Sequence, residues 1–489
     1  VNSHLPIVPS AAVLALGRPT FDLELGAAQV LRALPVLDEA IGHVDGLADL
    51  RAAVADGGGI VVDDHDPEIG RIVDLGRRGG VALVIVLQAT FADARTAIAV
   101  AEGAGLPVVV WSFPEERTGG RLRLNSLCGA NLAAYSLRRR HHPAAFVHVD
   151  PAAPDAAARL AAGIAAVRSQ PARATAVHES SAPHDVDTAR RLIAELRQAT
   201  VGVVGDPPDG FEPCTGDDDT IRATLGVDVE HCPLGQLFAA AGTIAAPVVE
   251  ATTRRIGRTL DVQPGVAEQG LEQSVRLYGG LRSMGAAQGW SAVSTRCWPE
   301  CMTDYGGAVC TPQAMLTEDG MPGVCEADLL GSITALMLQR LAGSDPFVAD
   351  LVDVDVDDDT SVLWHCGVAS SSLAVGHREG VLHPNRHRAL VSQFALKPGR
   401  VTVARISQAG GPDAGLCMVV GEGEMLDEPR AFSGTSGVIR WDRPASAVVR
   451  TVFDAGLEHH LAVVYGDHRD VLVAIAEQWG LPVVELGVT

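Results

Sequence analysis

The sequence predicts an α/β protein: two doubly wound parallel-sheet domains followed by a mainly β, barrel-like C-terminal domain. Three observations carry this. Short β-branched runs alternate with alanine-rich helical stretches over the first 145 residues, and the alternation resumes after a basic and then proline-rich connection at 138–154. Beyond residue 346 the texture changes to short β-like runs between Gly, Pro and Asp turns. A chain of 489 residues exceeds the size at which one hydrophobic core keeps growing. Boundaries are therefore expected near 145 and 345, giving domains 1–145, 146–345 and 346–489.

The elements follow in order. The runs 59–63 (GIVVD), 81–87 (VALVIVL) and 106–111 (LPVVVW) are short, continuous and apolar, as strands covered on both faces must be. No Gly-x-Gly-x-x-Gly follows any of them, so nothing marks a dinucleotide site. In the second region a helical stretch precedes the strand-like 199–205 (ATVGVVG), an acidic turn occupies 217–219, and apolar residues recur at helical spacing over 328–341. That helix stops at Gly343-Ser344-Asp345-Pro346. The third region carries β-like runs at 361–365, 400–406 and 416–420, and ends on a β-α-β pattern across 461–486.

Composition excludes several classes of partner. The formal charge is −22 with no basic block, so nucleic-acid phosphates and anionic lipid face a repulsive field. Residues 1–9 lack the pattern of a secretory leader, and no apolar stretch is long enough to span a bilayer. Nine cysteines, without the density of a secreted scaffold, fit reduced thiols in a cytoplasm. Cys297, Cys301, Cys310 and Cys325 cluster in sequence but form no Cys-x-x-Cys knuckles, so buried thiols are expected there and not a structural zinc.

Taken singly, the chemistry-bearing residues read blandly. Glu326 and Asp328 open a helix, where acids ordinarily complement the macrodipole. Asp350 precedes Asp353, Asp355 and 357–359, an alternation that reads as an exposed strand face and turn. The tandem His459-His460 reads as surface imidazoles, His365 as a core histidine and Phe432 as packing. Asn125 to Gly129 (NSLCG) reads as a cap or turn.

Resemblance changes these readings. Leu16-Gly17-Arg18-Pro19-Thr20-Phe21-Asp22 resembles the Arg-Pro segment that begins L-fucose isomerases. Trp298-Pro299-Glu300, then Gly323-Val324-Cys325-Glu326-Ala327-Asp328, is similar to the segment carrying that family's first metal-binding glutamate. Asp350, 24 residues after Glu326, stands where the family has its second acidic ligand at a domain junction. Ala455-Gly456-Leu457-Glu458-His459-His460 is similar to the segment supplying the histidine ligand, with His460 the better match. The resemblance, to L-fucose and L-arabinose isomerases and closer to the former, covers nearly the whole chain in order.

It implies an aldose–ketose isomerase holding Mn²⁺, with Mg²⁺ or Co²⁺ as substitutes, on Glu326, Asp350 and His460. Oxygen-rich donor sets with one imidazole suit such ions. Glu326 and Asp350 would double as the acid/base pair of an enediol route. Arg18, Gln88, His365, Phe432 and His459 are the implied sugar contacts. Gln88 begins the segment Gln88-Ala89-Thr90-Phe91, where the family's pocket tryptophan is missing. In the family the arginine reaches a neighbouring subunit's substrate, which implies a homo-oligomer, a trimer or hexamer, with sites between protomers. L-fucose, D-arabinose, L-arabinose and related sugars all remain open as substrates. A metal-dependent hydrolase using the same ligands, and a non-catalytic sugar-binding homologue, are the competing readings.

Overall fold

Uninterrupted apolar runs in the first third are strands buried on both faces of a parallel sheet. The structure, a computed structural model, describes residues 10–42, 44–62, 65–169, 185–409 and 415–488. Residues 1–9, on which the leader expectation rested, and Asp63, the end of the first predicted run, lie outside the described residues. The sheet runs in the order Val44–Asp45, Ala11–Leu16, Leu83–Gln88, Val108–Ser112, Ala144–His148, with Ile60–Val61 also pairing with Ala11–Leu16. Alternate side chains of Ala11–Leu16 serve opposite faces. Ala11, Val13 and Ala15 pack with Leu34, Leu37 and Ile164, whereas Ala12, Leu14 and Leu16 pack in the cluster holding Ile72, Val100 and Ala133. Each large aliphatic side chain so buried contributes about 1.5–3 kcal/mol.

The strand Ala144–His148 and the helix Ala156–Ser169 complete this layer, so the first α/β unit continues past the boundary placed at 145. A second, four-stranded parallel sheet follows in the order Gly323–Cys325, Ala292–Thr295, Thr200–Val204, Asp228–Cys232. The acidic turn at 217–219 caps a helix: Asp217 accepts the Thr220 N–H at the start of Asp218–Leu225.

The third unit is a six-stranded antiparallel barrel with extra strands. Cys417–Met425, Gly399–Ser407, His460–Tyr465, Phe347–Asp355, Thr360–His365 and Thr435–Trp441 pair in that order, and Thr435–Trp441 closes back on Cys417–Met425. The predicted β-α-β ending is present: Val483–Glu485 joins the barrel sheet after the helix Arg469–Trp479. Asp353 departs from the exposed face expected of it. It is buried, accepting the Glu115 N–H and an ion pair from Arg117 at 2.7 Å. The register sets Asp350 between Trp364 on one neighbouring strand and His460 on the other. Among the described residues no single helix is long and apolar enough to cross a membrane.

Strand order decides where a site can form. In both parallel sheets successive strands are added first to one side of the opening long strand and then to the other. Loops leaving the carboxyl ends of the two central strands therefore diverge and open a crevice. In the first sheet those loops carry Arg18 and Phe91, and in the second they carry Phe211 and Trp298. All four line one cleft of about 660 Å³ that also receives Asp350 and His365 from the barrel.

Candidate active site

Glu326 enters the cleft through an unusual turn. After the strand Gly323–Cys325, Glu326 and Ala327 adopt φ of 63° and 53°, a left-handed region costly for residues with a Cβ. Two such residues in succession aim the Glu326 carboxylate inward and let Asp328 start the helix Leu329–Ala342. Asp328 caps that helix by accepting the Gly331 N–H at 2.9 Å. A Cβ at Gly331 would stand 2.2 Å from Asp328 Oδ2, so only glycine fits there.

Asp328 also fixes His460. Its Oδ2 accepts from His460 Nδ1 at 2.8 Å and from Arg405 at 2.5 Å, all three side chains being fully buried. Burial opposes the Asp328 charge, yet Arg405 and His460 hold this carboxyl well below its ordinary range. The Nδ1 contact turns His460 Nε2 inward; burial opposes charge on this imidazole, but the Asp328, Asp350 and Glu326 carboxylates outweigh it and raise the group above its ordinary value, so a cation would bind Nε2 in place of a proton. Nε2 faces Glu326 Oε2 at 3.5 Å and Asp350 Oδ1 at 3.6 Å. Neither Asp350 Oδ1 nor His460 Nε2 has a hydrogen-bond partner, although both are buried.

Three ligand atoms thus converge, and two buried carboxylates around one imidazole nitrogen favour a positive charge there, a proton or a cation in its place. The set fits a divalent ion of hard character, with two carboxylates and one imidazole. A second grouping shares part of it. Cys214, Glu326, His459 and His460 offer ligand atoms all within 4.8 Å of one another, a set richer in soft donors. Burial raises the Cys214 thiol well above its usual value, whereas Asp350 already carries an unpartnered oxygen, so the oxygen set is the better cradle.

The remaining electrostatics follow from burial. Glu326 accepts from Trp298 Nε1 at 3.0 Å and from His459 Nε2 at 3.0 Å. Burial raises the Glu326 carboxyl, but the His459 hydrogen bond and the neighbouring imidazoles outweigh it and keep the group ionised at neutral pH. Burial, with the charges of Glu326 and Asp328, pushes Asp350 up to about 7 despite the pull of His460. Burial lowers His365 to about 3 and His459 to about 4.

His383 on the cleft wall is held at about 3 by burial and the nearby Arg386 charge. Its Nδ1 accepts the Asn385 N–H at 3.2 Å. Because the folded value lies below the unfolded one, its contribution to stability is complete above about 6.5 and lost as pH falls toward 3. The His383 ring resonances are therefore expected to stay constant between pH 5 and 8 in a ¹⁵N-edited NMR titration. A midpoint near 6.5 would contradict this placement.

The structure gathers most of the residues expected from sequence. Glu326, Asp350, His365, His459 and Arg18 line the cleft, with His460 directly behind Glu326 and Asp350. Arg18 faces the cleft of its own chain, paired to Asp93 at 2.6 Å and stacked over Phe91. Gln88 and Phe432 are absent from the wall. The Gln88 amide donates to Thr90 O at 3.0 Å beneath the loop. Phe432 is fully buried against Leu122, Val352 and Trp364, the packing role its composition suggested.

The four clustered cysteines are free and buried, and among the described residues they form no compact ligand group. Asn125 is at once the left-handed cap of the helix Ser126–Arg139 and a cleft residue. Phe211, His383, Asn385 and Arg386 were missed as wall residues, and Trp298 was noticed only as a landmark. The one available signal was the basic stretch His383-Pro384-Asn385-Arg386-His387-Arg388 in an otherwise acidic chain.

Comparison with known proteins agrees with this geometry. Residues 12–168 match the family profile "Fucose/sulfoquinovose isomerase, N-terminal domain", and 387–487 match "L-fucose isomerase, C-terminal domain". The sulfoquinovose isomerase of Priestia megaterium is 30% identical over 475 residues, 95% of this chain and 96% of that protein. The sulfoquinovose isomerase of Alkalicoccus urumqiensis is 31% identical over 411 residues, 82% of this chain and 86% of that protein. A Clostridium sulfoquinovose isomerase is 30% identical over 400 residues, 81% of this chain and 84% of that protein. With family profiles matching at both ends and relatives aligned across nearly its whole length, this chain belongs to the fucose/sulfoquinovose isomerase family of sugar isomerases.

Proposed function

We propose that the protein is a divalent-metal-dependent aldose–ketose isomerase whose substrate is sulfoquinovose, a hexose carrying a sulfonate on its terminal carbon. The observation that carries the chemistry is the unpartnered His460 Nε2 facing Glu326 and Asp350. The relatives' substrate and the two arginines on the cleft wall support the choice of sugar. A Mn²⁺ ion, or Mg²⁺ or Co²⁺, held by Glu326, Asp350 and His460 would polarise two adjacent sugar oxygens and stabilise negative charge.

The protein's own groups do the rest. One of Glu326 and Asp350 removes the proton from C2, exchanges it with solvent and delivers a proton to C1, while the other serves the hydroxyl and carbonyl oxygens as the double bond moves through an enediol. His459 and Trp298 fix the Glu326 carboxylate through their ring N–H groups. The Asp328–His460 contact keeps Nε2 turned inward. Phe91, Phe211 and Trp298 wall the reacting carbons with aromatic faces and exclude water.

Nine free cysteines suit a reducing cytoplasm, and a homo-oligomer remains part of this reading. Incubating the Mn²⁺-loaded protein with sulfoquinovose in D₂O is expected to give the ketose with deuterium on C1 and wash-in at C2 of recovered aldose. Ketose formed without solvent deuterium would replace proton transfer by a hydride shift. Absence of ketose from sulfoquinovose and from a panel of neutral aldoses would remove the isomerase reading.

A further inference from the structure

The cleft wall beside Trp298 holds a charge that the proposed reacting centre does not use. Arg386 stands on the loop after the strand Ala374–Val381, its guanidinium 4.7 Å from the centre of the Trp298 ring. Arg18, from the first sheet, stands 5.2 Å from the centre of the same ring. Both line the cleft, half-buried or nearly so. Arg18 shares its charge with Asp93 at 2.6 Å. Among the described residues no carboxylate pairs with Arg386, in a protein with 60 acidic and 38 basic residues. A guanidinium left without an acid partner in so acidic a chain calls for an anion from outside.

Trp298 relates this wall to the proposed reacting centre. Its indole N–H donates to Glu326 Oε1 at 3.0 Å, while its ring faces carry the two arginines. A sugar lying along this indole with C1 and C2 at Glu326 and Asp350 directs its terminal carbon toward Arg18 and Arg386. Fork-shaped guanidiniums match the oxygens of a tetrahedral oxyanion better than an ammonium does. They also create a local positive field against the negative field of the whole chain, which would otherwise repel an anionic sugar.

We propose that Arg386, with Arg18, forms an anion-recognition subsite that selects aldoses bearing a tetrahedral oxyanion on the terminal carbon. This rests on the isomerase reading and assigns the part of the cleft that sets substrate class. A sulfonate and a phosphate ester share the required chemistry. The Arg386 contact is made equally to ground and transition states, so it acts chiefly through KM.

The test compares sulfoquinovose with D-quinovose, the same sugar without its sulfonate, and with glucose 6-phosphate against glucose. Wild type, Arg386→Met and Arg386→Lys are measured, each loaded with Mn²⁺. In Arg386→Met the ratio of kcat/KM for sulfoquinovose over D-quinovose is expected to fall about 10²-fold, through KM, with partial recovery in Arg386→Lys. Raising the salt concentration should lower the wild-type ratio in the same direction.

An unchanged ratio, or an equal loss on both sugars, overturns the proposal, because a merely structural arginine would act on the two alike. If the ratio falls for glucose 6-phosphate over glucose and not for the sulfonated pair, the subsite stands and its anion is a phosphate. The isomerase reading fails separately, by absence of turnover in wild type with every sugar. In that case calorimetric binding of sulfoquinovose and D-quinovose to wild type and Arg386→Met decides the subsite. Tighter binding of the sulfonated sugar that disappears in the variant supports it, and equal binding overturns it.

Discussion

Replacing Asp350 by asparagine is expected to slow proton exchange at C2 by about 10³–10⁴-fold, the range an acid/base group supplies when its metal contact is lost as well. The substitution keeps volume and one carbonyl oxygen, so folding should survive it. Burial above all, and then the neighbouring Glu326 and Asp328 carboxylates, push the Asp350 carboxyl up to about 7. Removing a charge from that crowd relieves repulsion, and the metal-free variant should melt at the same temperature as wild type or above it. Activity and stability therefore move in opposite directions. Wash-in of deuterium measured by NMR, metal content by atomic emission and melting by calorimetry check the three parts. A fall in melting temperature with activity retained would make Asp350 an ordinary structural acid.

Arg405→Met carries the largest expected effect on stability. Arg405 has 1% of its side chain exposed and makes two hydrogen bonds to Asp328, with Glu458 Oε2 3.7 Å from its Nε. Truncating it leaves two carboxylates in a dry interior, at a cost of about 3–5 kcal/mol. Lysine should restore only part of this, since one ammonium cannot reproduce the paired fork on Asp328. Urea unfolding of the metal-free proteins, followed by tryptophan fluorescence, measures the loss. Because Asp328 positions His460, the variant should also bind Mn²⁺ more weakly than wild type at temperatures where both are folded. A variant as stable as wild type would show that Asp328 and Glu458 find other partners or protons.

The fold was legible where strands were long in Val, Leu and Ile, and obscure where they were not. Leu83–Gln88 and Val108–Ser112 stand out as β-branched runs bounded by turns. Ala11–Leu16 and Ala144–His148 pair just as regularly, but their alanines carry little β preference, and what makes them strands is burial between helices. Ala144–His148 lay at the placed boundary because the basic and then proline-rich residues around it, 138–154, read as a connection.

In the site, Glu326 and Asp350 could be reached through resemblance: Glu326 directly follows the strand Gly323–Cys325, and Asp350 lies 24 residues beyond it, inside the strand Phe347–Asp355. The choice between His459 and His460 had no local signal, since adjacent residues on a strand start point to different partners. Only the neighbouring chains decide it: Asp328 takes His460 Nδ1, and Glu326 takes His459 Nε2. Arg386 and Phe211 could not be placed on the cleft wall from sequence, because their position there depends on loops from three separate sheets meeting. Phe432 and Gln88 lie off the wall for the same kind of reason: residue type suited a sugar wall, but Gln88 donates to Thr90 O in its own loop and Phe432 packs against Leu122, Val352 and Trp364 from other segments.

The pairing of Phe347–Asp355 with its two neighbours reaches beyond catalysis. Side chains on a strand alternate between faces, so threading this segment one residue out of place would bring Leu351 to the cleft and bury Asp350 among aliphatic groups. Such a chain could still close a barrel, but His460 would keep only Asp328 and Glu326 and lose Asp350. If the proposed cation is held there, its uptake would serve as an internal check on assembly: misthreaded molecules would be inert and poorly laden, and a chelator would release the advantage that correctly threaded ones hold.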